Sequence, residues 1–338
     1  MRSSEIKREH GTWQTWHEGA GPIRLGVSTC LLGENVRHDG GHRRDAFLVE
    51  VLGPFVEWVG VCPEVELGMG VPRPSVRLVD AEGGSDGALR MISPDTGEDF
   101  TQRMTAFAAA RVAELQEVEL DGYVLKKNSP SCGMARVKVW GFAGPKRRDG
   151  VGLFAQALLA AWPHLPIEEE GRLADPALRE NFVERIFCRH RWRTFRRAGS
   201  TRARLVEFWT THELLVRAHD EPAARRLGKL VRSTSKESDQ SLFALFEAEF
   251  FAALARKATT AKHTNVLRYA LGLLHQHLDP AERRRLAAAI ADYRKGLLPL
   301  VVPLTLLRFQ IRKHSIATLQ DQLYFEPHPK ELMLRNRV

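Results

Sequence analysis

The sequence has no long apolar run. Its most apolar stretch, LLPLVVPLTLL (297–307), is 11 residues long and holds two prolines, well short of the roughly 18 apolar residues a membrane-spanning helix needs. The opening MRSSEIKREHGTWQTWHEGAG lacks the apolar centre of a secretory signal, so a cytoplasmic location is expected. Cysteine is scarce, with four in 338 residues and no C-x-x-C pair. In a reducing compartment that scarcity argues against a disulfide framework, and each cysteine reads as a buried thiol, a metal ligand or a reactive group. No internal repeat and no low-complexity tract is visible, which leaves compact domains as the expected architecture.

What is present is an ordinary globular composition, 43% hydrophobic and 27% charged, in a chain long enough for two cores. Charge is divided unevenly. Residues 1–165 hold 19 Lys+Arg against 21 Asp+Glu, and residues 166–338 hold 31 against 20, giving −2 and +11. Within the basic half, RHRWRTFRRAGSTRAR (189–204) carries seven arginines and no acid, interleaved with Trp192 and Phe195. Arginines neutralise phosphates and aromatic rings stack on bases, so Arg189, Arg191, Trp192, Arg193, Arg196 and Arg197 form a candidate nucleic-acid contact. A basic, solvated linker is the competing reading of the same residues.

The first half alternates strand and helix. IRLGVST (23–29), FVEWVGV (55–61) and LDGYVLKK (120–127) read as strands, while RDAFLVEVLGPF (44–55) and TQRMTAFAAARVAELQEVEL (101–120) repeat apolar residues at helical spacing. That alternation predicts an open α/β fold with a mostly parallel sheet. DPALRENFVERIFCRHRW (175–192) opens like a helix with Asp175 as cap, and beyond residue 204 amphipathic helices predict an all-α bundle. One of them starts with Asp279-Pro280-Ala281-Glu282, a capping-box pattern, and stops at Gly296.

On this reading Cys30, Cys62 and Cys132 each fall just past the carboxyl end of a predicted strand. Parallel strands deliver their following loops to one edge of the sheet, where α/β proteins bind ligands, so thiols 32 and 70 residues apart can converge there. Their loops are rich in Gly, Pro and polar residues, unlike the apolar runs that hold structural cysteines. Zinc favours four ligands and close pairs; an iron-sulfur cubane on three cysteines keeps one iron open. Spacing alone does not choose between them. Cys188 could close the site in principle, but it lies on a predicted helix beside an apolar face and reads as core.

STCLLGENVRHDGGHRRD, GVCPEVELGMGVPRPSVRLV and KKNSPSCG resemble the signature blocks of the DUF523 family, whose characterised members are thiouracil desulfidases. KHTNVLRYALG, YRKGLLPLVVPLTLLRF and LYFEPHPKELMLRNRV resemble the DUF1722 helical domain. The fused architecture is similar to that of the tRNA 4-thiouridine desulfidases, in which the extra domain is implicated in handling RNA. The expected organisation is a tail (1–22), a catalytic domain (23–165), a basic connector (166–204) and a helical domain (205–338).

The resemblance implies that Cys30, Cys62 and Cys132 bind a [4Fe-4S] cluster whose open iron accepts the sulfur of a thiocarbonyl, while water replaces it on the pyrimidine carbon without net redox change. Glu64, two residues after Cys62, is the expected base. Ser129 and Ser131 are candidates to bond the ring or the developing oxyanion, with Ser129 favoured by its place in the motif. Glu64 could instead serve a helix start, and the serines could merely cap a turn. Arg37, Asp39 and Arg73, with Arg43 and Arg77, lie in the same loops and are expected to position the nucleotide; loop-carbonyl bonding is the structural alternative for Arg73 and Arg77. The expected substrate is thiolated tRNA. A desulfidase of free thiouracil or thionucleosides, a nucleic-acid-binding protein with a structural or redox-sensing cluster, and an electron carrier are the alternatives.

Overall fold

The computed structural model describes residues 14–16, 21–80, 89–141, 144–233 and 238–337. The chain forms two compact units, Pro22–Asp175 and, with the N-terminal residues, Pro176–Val338. The first unit contains β1 (Arg24–Ser28), β2 (Glu57–Val61), α1 (Pro63–Glu66), β3 (Arg77–Asp80), β4 (Leu89–Ile92), α2 (Thr101–Val118), β5 (Gly122–Leu125), β6 (Val137–Gly141), β7 (Gly144–Gly150), α3 (Leu153–Ala161) and β8 (Ile167–Glu169).

Two sheets organise these elements. The first has the order β2-β1-β5-β8 and every pair in it is parallel. Strands β1 and β5 are buried along nearly their whole length, which is why they read as continuous apolar runs. Gly26 faces Tyr123: a Cβ there would stand 2.1 Å from the ring, so the glycine lets the aromatic lie flat across β1. Val61, Tyr123 and Leu125 share a core with Ala108, Val112 and Leu115 of α2 and Phe154 and Leu158 of α3. Each such large side chain contributes roughly 1.5–3 kcal/mol by leaving water. The second sheet, β4-β3-β6-β7, is mixed, with β3 and β6 parallel and both outer pairs antiparallel.

The sheet topology sets the site. From β1 the chain steps to β2 on one side and later returns with β5 on the other, so the reversal of direction falls at β1. Such a switch point opens a crevice at the carboxyl ends of the strands, and Cys30, Cys62 and Cys132 follow β1, β2 and β5, three adjacent strands.

The expected catalytic domain ended at 165, but β8 pairs with β5 and extends the unit to Asp175. The expected basic connector is not a linker either. Its larger part is α4 (Pro176–Arg197), which belongs to the helical unit with α5 (Arg202–His219), α6 (Glu221–Arg232), α7 (Asp239–Leu254), α8 (Thr260–Leu274), α9 (Pro280–Arg294), α10 (Val301–Lys313) and α11 (Ala317–Gln320). Thr201, Asp220, Ser238, Thr259 and Asp279 cap successive helices by accepting a backbone N–H, and Asp279 with Glu282 forms the expected capping box. Trp192 of α4 stacks on Phe195 and on Phe246 at 5.1 and 5.3 Å within an aromatic core that includes Phe208 and Phe250. Of the expected tail, Trp16 packs edge-on to Phe195 and Phe208; residues 1–13 and 17–20 lie outside the described residues.

Candidate active site

A cavity of about 380 Å³ opens at the carboxyl edge of the parallel sheet, within the usual small-molecule range of roughly 300–1,000 Å³. Cys30, Cys62 and Cys132 all line it, together with Glu64, Ser129, Ser131, Arg37, Arg43 and Arg73. Cys30 and Cys132 are buried and Cys62 is half-buried. Burial pushes the Cys30 thiol up to about 11 and the Cys132 thiol up to about 12, with the charge of nearby Cys62 adding to both. Three desolvated thiols facing one space suit a soft cationic group, whose binding favours the thiolate. Among the described residues no three His, Cys, Asp or Glu side chains gather tightly enough to hold a single metal ion.

Glu64 sits in the first turn of α1, behind Pro63. The carboxylate that closes this helix start is Glu66, whose Oε1 accepts from the Cys62 amide at 3.0 Å, so Glu64 faces the cavity. Its Oε2 accepts from Arg73 Nε and Nη2 at 3.0 and 2.7 Å, and its Oε1 accepts from the Ser131 hydroxyl at 2.7 Å. Arg73 was expected to position the substrate. Loop-carbonyl bonding was the alternative: its side chain is 3% exposed and its Nη1 donates to the Val36 and Gly70 carbonyls, so beside the cavity it lines the guanidinium holds Glu64 and ties two loops together. Arg77 lies over the Trp140 ring at 5.0 Å and does not line the cavity.

The serines divide their work. Ser129 Oγ accepts from the amides of Ser131 and Cys132 at 3.3 and 3.1 Å, closing the turn as the capping alternative expects. It also lies 2.9 Å from Ser131 Oγ. Because Ser131 spends its only hydrogen on Glu64, Ser129 is the donor between the two hydroxyls, or it turns its hydrogen to the cavity. The turn is pinned from below by the start of α3: the amides of Phe154 and Ala155 donate to the Ser131 carbonyl at 3.0 and 3.1 Å. Gly133 permits a close approach, since a Cβ there would meet Val137 at 2.4 Å.

Four further residues, Ser28, Lys126 and Lys127 on the cavity wall and Glu170 behind them, belong to the site and were not singled out from the sequence. Lys126 follows β5 directly, lines the cavity and pairs with Glu170. Glu170 also accepts from the Lys127 amide at 2.8 Å, and Ser28 Oγ accepts from the Lys126 amide at 3.0 Å. Both lysines stand in the KKNSPSCG block, and Ser28 ends β1; Glu170 is 43 residues away and gave no signal. Asp39, expected to position substrate, does not line the cavity. It accepts from the Gly41 amide at 3.1 Å and from Arg37 at 3.3 Å, which hold it down at about 2 and fix the loop that carries Arg37.

The proposed nucleic-acid contact on α4 is largely internal. Arg191 and Trp192 are 0% and 2% exposed and Arg193 is buried; Arg191 donates to the Pro327 carbonyl and Arg193 to His190. A buried Trp192 has no free face for a base. Arg189 pairs with Glu247 at 2.6 Å, and Arg196 lies over Phe243 at 4.8 Å; Arg196 and Arg197 are exposed. Cys188 is fully buried in the helical core, and the histidines His212 and His263 are likewise core residues.

An open α/β unit with three thiols, a carboxylate and two hydroxyls around one cavity at its switch point defines a thiol-lined small-molecule site. The family model "2-thiouracil desulfurase" matches residues 25–170, and "Protein of unknown function (DUF1722)" matches 213–329. The uncharacterized protein YbgA of Escherichia coli (strain K12) is 31% identical over 153 residues, 45% of this chain and 90% of its own length. The uncharacterized protein YbbK of Bacillus subtilis (strain 168) is 30% identical over 146 residues, 43% of this chain and 95% of its own. Among solved structures, the [4Fe-4S]-dependent thiouracil desulfidase TudS matches with 26% identity and a TM-score of 0.37, over 47% of this chain and 99% of that one. The chain belongs to the 2-thiouracil desulfurase family, with a DUF1722 domain following the desulfurase domain.

Proposed function

We propose that the protein is an iron-sulfur-dependent desulfidase that converts 4-thiouridine in tRNA to uridine. The observation that carries the reading is the single cavity shared by Cys30, Cys62, Cys132 and the Glu64–Ser131 pair. The three thiols would hold the [4Fe-4S] group. Bound there, it supplies an open iron, a soft Lewis acid for a thiocarbonyl sulfur.

The rest is the work of this chain's side chains. Glu64, held on one oxygen by Arg73 and on the other by Ser131, accepts a proton from the attacking water. Ser131, whose hydroxyl donates to Glu64, holds that carboxylate in place beside the thiols. Ser129, whose oxygen already accepts two amides, donates toward the oxygen developing on the pyrimidine carbon. The carbon exchanges sulfur for oxygen and sulfide leaves, so a thiocarbonyl and water become a carbonyl and hydrogen sulfide with no change in oxidation state. Arg37, Arg43 and Lys127 give the cavity wall cations suited to a nucleotide phosphate. Residues 176–338 hold 30 Lys+Arg against 16 Asp+Glu. That +14 favours RNA over a free base, which needs no such surface.

The test is anaerobic restoration of iron and sulfide followed by incubation with 4-thiouridine-containing tRNA. Sulfide release matched by loss of the thiouridine chromophore is expected. Turnover of free 4-thiouracil with none of tRNA would move the assignment to the small-base reading, and neither activity would refute it.

A further inference from the structure

With Arg191 and Trp192 of α4 buried, an RNA strand would meet the basic helical unit elsewhere. Helix α5 packs against both α6 and α8, and between them runs a groove of about 450 Å³ lined by Arg217, Glu221, Arg225, Lys262, Asn265 and Tyr269. We infer that this groove holds an unpaired nucleotide of an RNA strand. The inference rests on the RNA-substrate reading and gives it a place.

The groove pairs a stacking surface with cations. The Arg217 guanidinium lies 4.5 Å from the Tyr269 ring centroid and is fixed there by Glu213 and Glu221 at 3.0 and 2.9 Å. The guanidinium takes one side of the phenol, and Tyr269 is 42% exposed, so the ring keeps surface open on which a base can stack. Most large aromatic side chains of this unit are packed inside it, as Trp192 and Phe246 are. An exposed tyrosine in a basic groove therefore stands apart from the core's demands.

Lys262 Nζ donates to the carbonyls of His219 and Lys257 at 2.6 and 3.0 Å. These bonds hold the ammonium against the groove and use two of its three N–H groups, leaving one for a phosphate oxygen. Arg225 bonds Glu221 through Nε at 3.2 Å while its side chain stays 71% exposed, so the two terminal nitrogens of its fork are directed to solvent. Among the lining residues three cations face one carboxylate. A phosphodiester answers that excess and a base answers the ring; a neutral peptide answers neither.

The experiment uses the full chain and a fluorescein-labelled oligouridine, with fluorescence anisotropy read over a salt series. Tyr269→Ala is expected to weaken binding roughly five- to tenfold, and Tyr269→Phe, which keeps the ring, to stay within about twofold. Arg225→Gln is expected to lower the slope of log affinity against log salt by about 0.7, the signature of one lost phosphate contact on a single strand. None of these variants touches the thiol cavity, so turnover of free 4-thiouracil stays at the parent level. Parent-like affinity and salt slope in Tyr269→Ala and Arg225→Gln overturn the groove while leaving the desulfidase reading intact. RNA binding that depends on Tyr269 in a protein without sulfide release keeps the groove and removes the desulfidase. A parent protein that binds no RNA overturns both the groove and the tRNA substrate.

Discussion

At the scale of single residues, the Glu64–Arg73 pair carries two separable burdens. Both side chains are nearly buried, at 11% and 3% exposure, so Glu64→Ala leaves a guanidinium without its counter-charge, a loss of roughly 3–5 kcal/mol when such pairs are buried. Glu64→Gln keeps an oxygen for Arg73 but no base. Glutamine also removes the counter-charge and keeps only the acceptor, so turnover is expected to fall about 10²- to 10⁴-fold in Glu64→Gln, with a melting temperature that falls less than in Glu64→Ala by the hydrogen bonds to Arg73 it retains. Calorimetry beside single-turnover sulfide release separates the two, and full turnover by Glu64→Gln would remove Glu64 as the base. For the thiols, Cys30→Ser, Cys62→Ser and Cys132→Ser are each expected to abolish retained iron and acid-labile sulfide. Cys188→Ala, in the helical core, is expected to keep both. A full iron complement in any one of the first three would break the three-thiol assignment. The cysteines and Glu64 were legible in the sequence because a strand end fixes where the next residue goes. Arg73's true partner was not, because it depends on how the loop at Val36 folds over that at Gly70, a contact between segments with no shared period.

At the scale of elements, the start of α3 is the floor of the Ser129–Cys132 turn. Gly152 allows it: a Cβ there would stand 2.5 Å from the Ser131 carbonyl carbon and oxygen, which are backbone atoms and cannot rotate away. Gly152→Ala is expected to cost about 1–3 kcal/mol by overpacking and to displace the Ser129–Cys132 turn, lowering turnover as well. Gly272, inside α8, meets nothing within 4 Å, so Gly272→Ala is expected to stabilise by about 0.5–1 kcal/mol through helix propensity. Denaturant midpoints of the pair check both signs; a neutral Gly152→Ala would mean the turn does not rest on α3. The elements read correctly from sequence were those with a strong period or an unbroken apolar run, such as α2 and β1. The second sheet was missed for the converse reason. Its strand β7, GPKRRDG, has no apolar alternation and is held by its pairing with β6.

At the scale of the whole molecule, the helical unit buries titratable groups beside its apolar core, so its stability should depend on pH. His263 and His328 are buried, and burial pushes them down to about 3 and about 4; His212, stacked on Phe208 at 4.0 Å, is likewise pushed well below its ordinary value by burial. Each is neutral in the fold and binds a proton below about 6.5 once unfolded, so each contribution is complete above that value and is lost as pH falls through it. Glu180 works the other way. Burial and the neighbouring Glu184 raise it to about 7, so its contribution is lost as pH rises toward 7. Glu184 is held below the usual carboxylate range: against burial, the Arg335 charge and the His219 hydrogen bond win, and it weakens the fold only once the pH drops below about 4.5. Between pH 6.5 and 4.5, then, three histidines take up protons on unfolding and one glutamic acid releases one. The net uptake of about two protons corresponds to a loss of roughly 2.7 kcal/mol per pH unit. Helical circular dichroism during thermal unfolding should show a melting temperature that is steady near neutrality and falls steeply from just below pH 6.5, well above the range where surface carboxylates titrate. His328→Asn should flatten the slope by about one proton. A melting temperature unchanged between pH 7 and 5 would mean that these rings stay open to water, contrary to their burial in the helical unit.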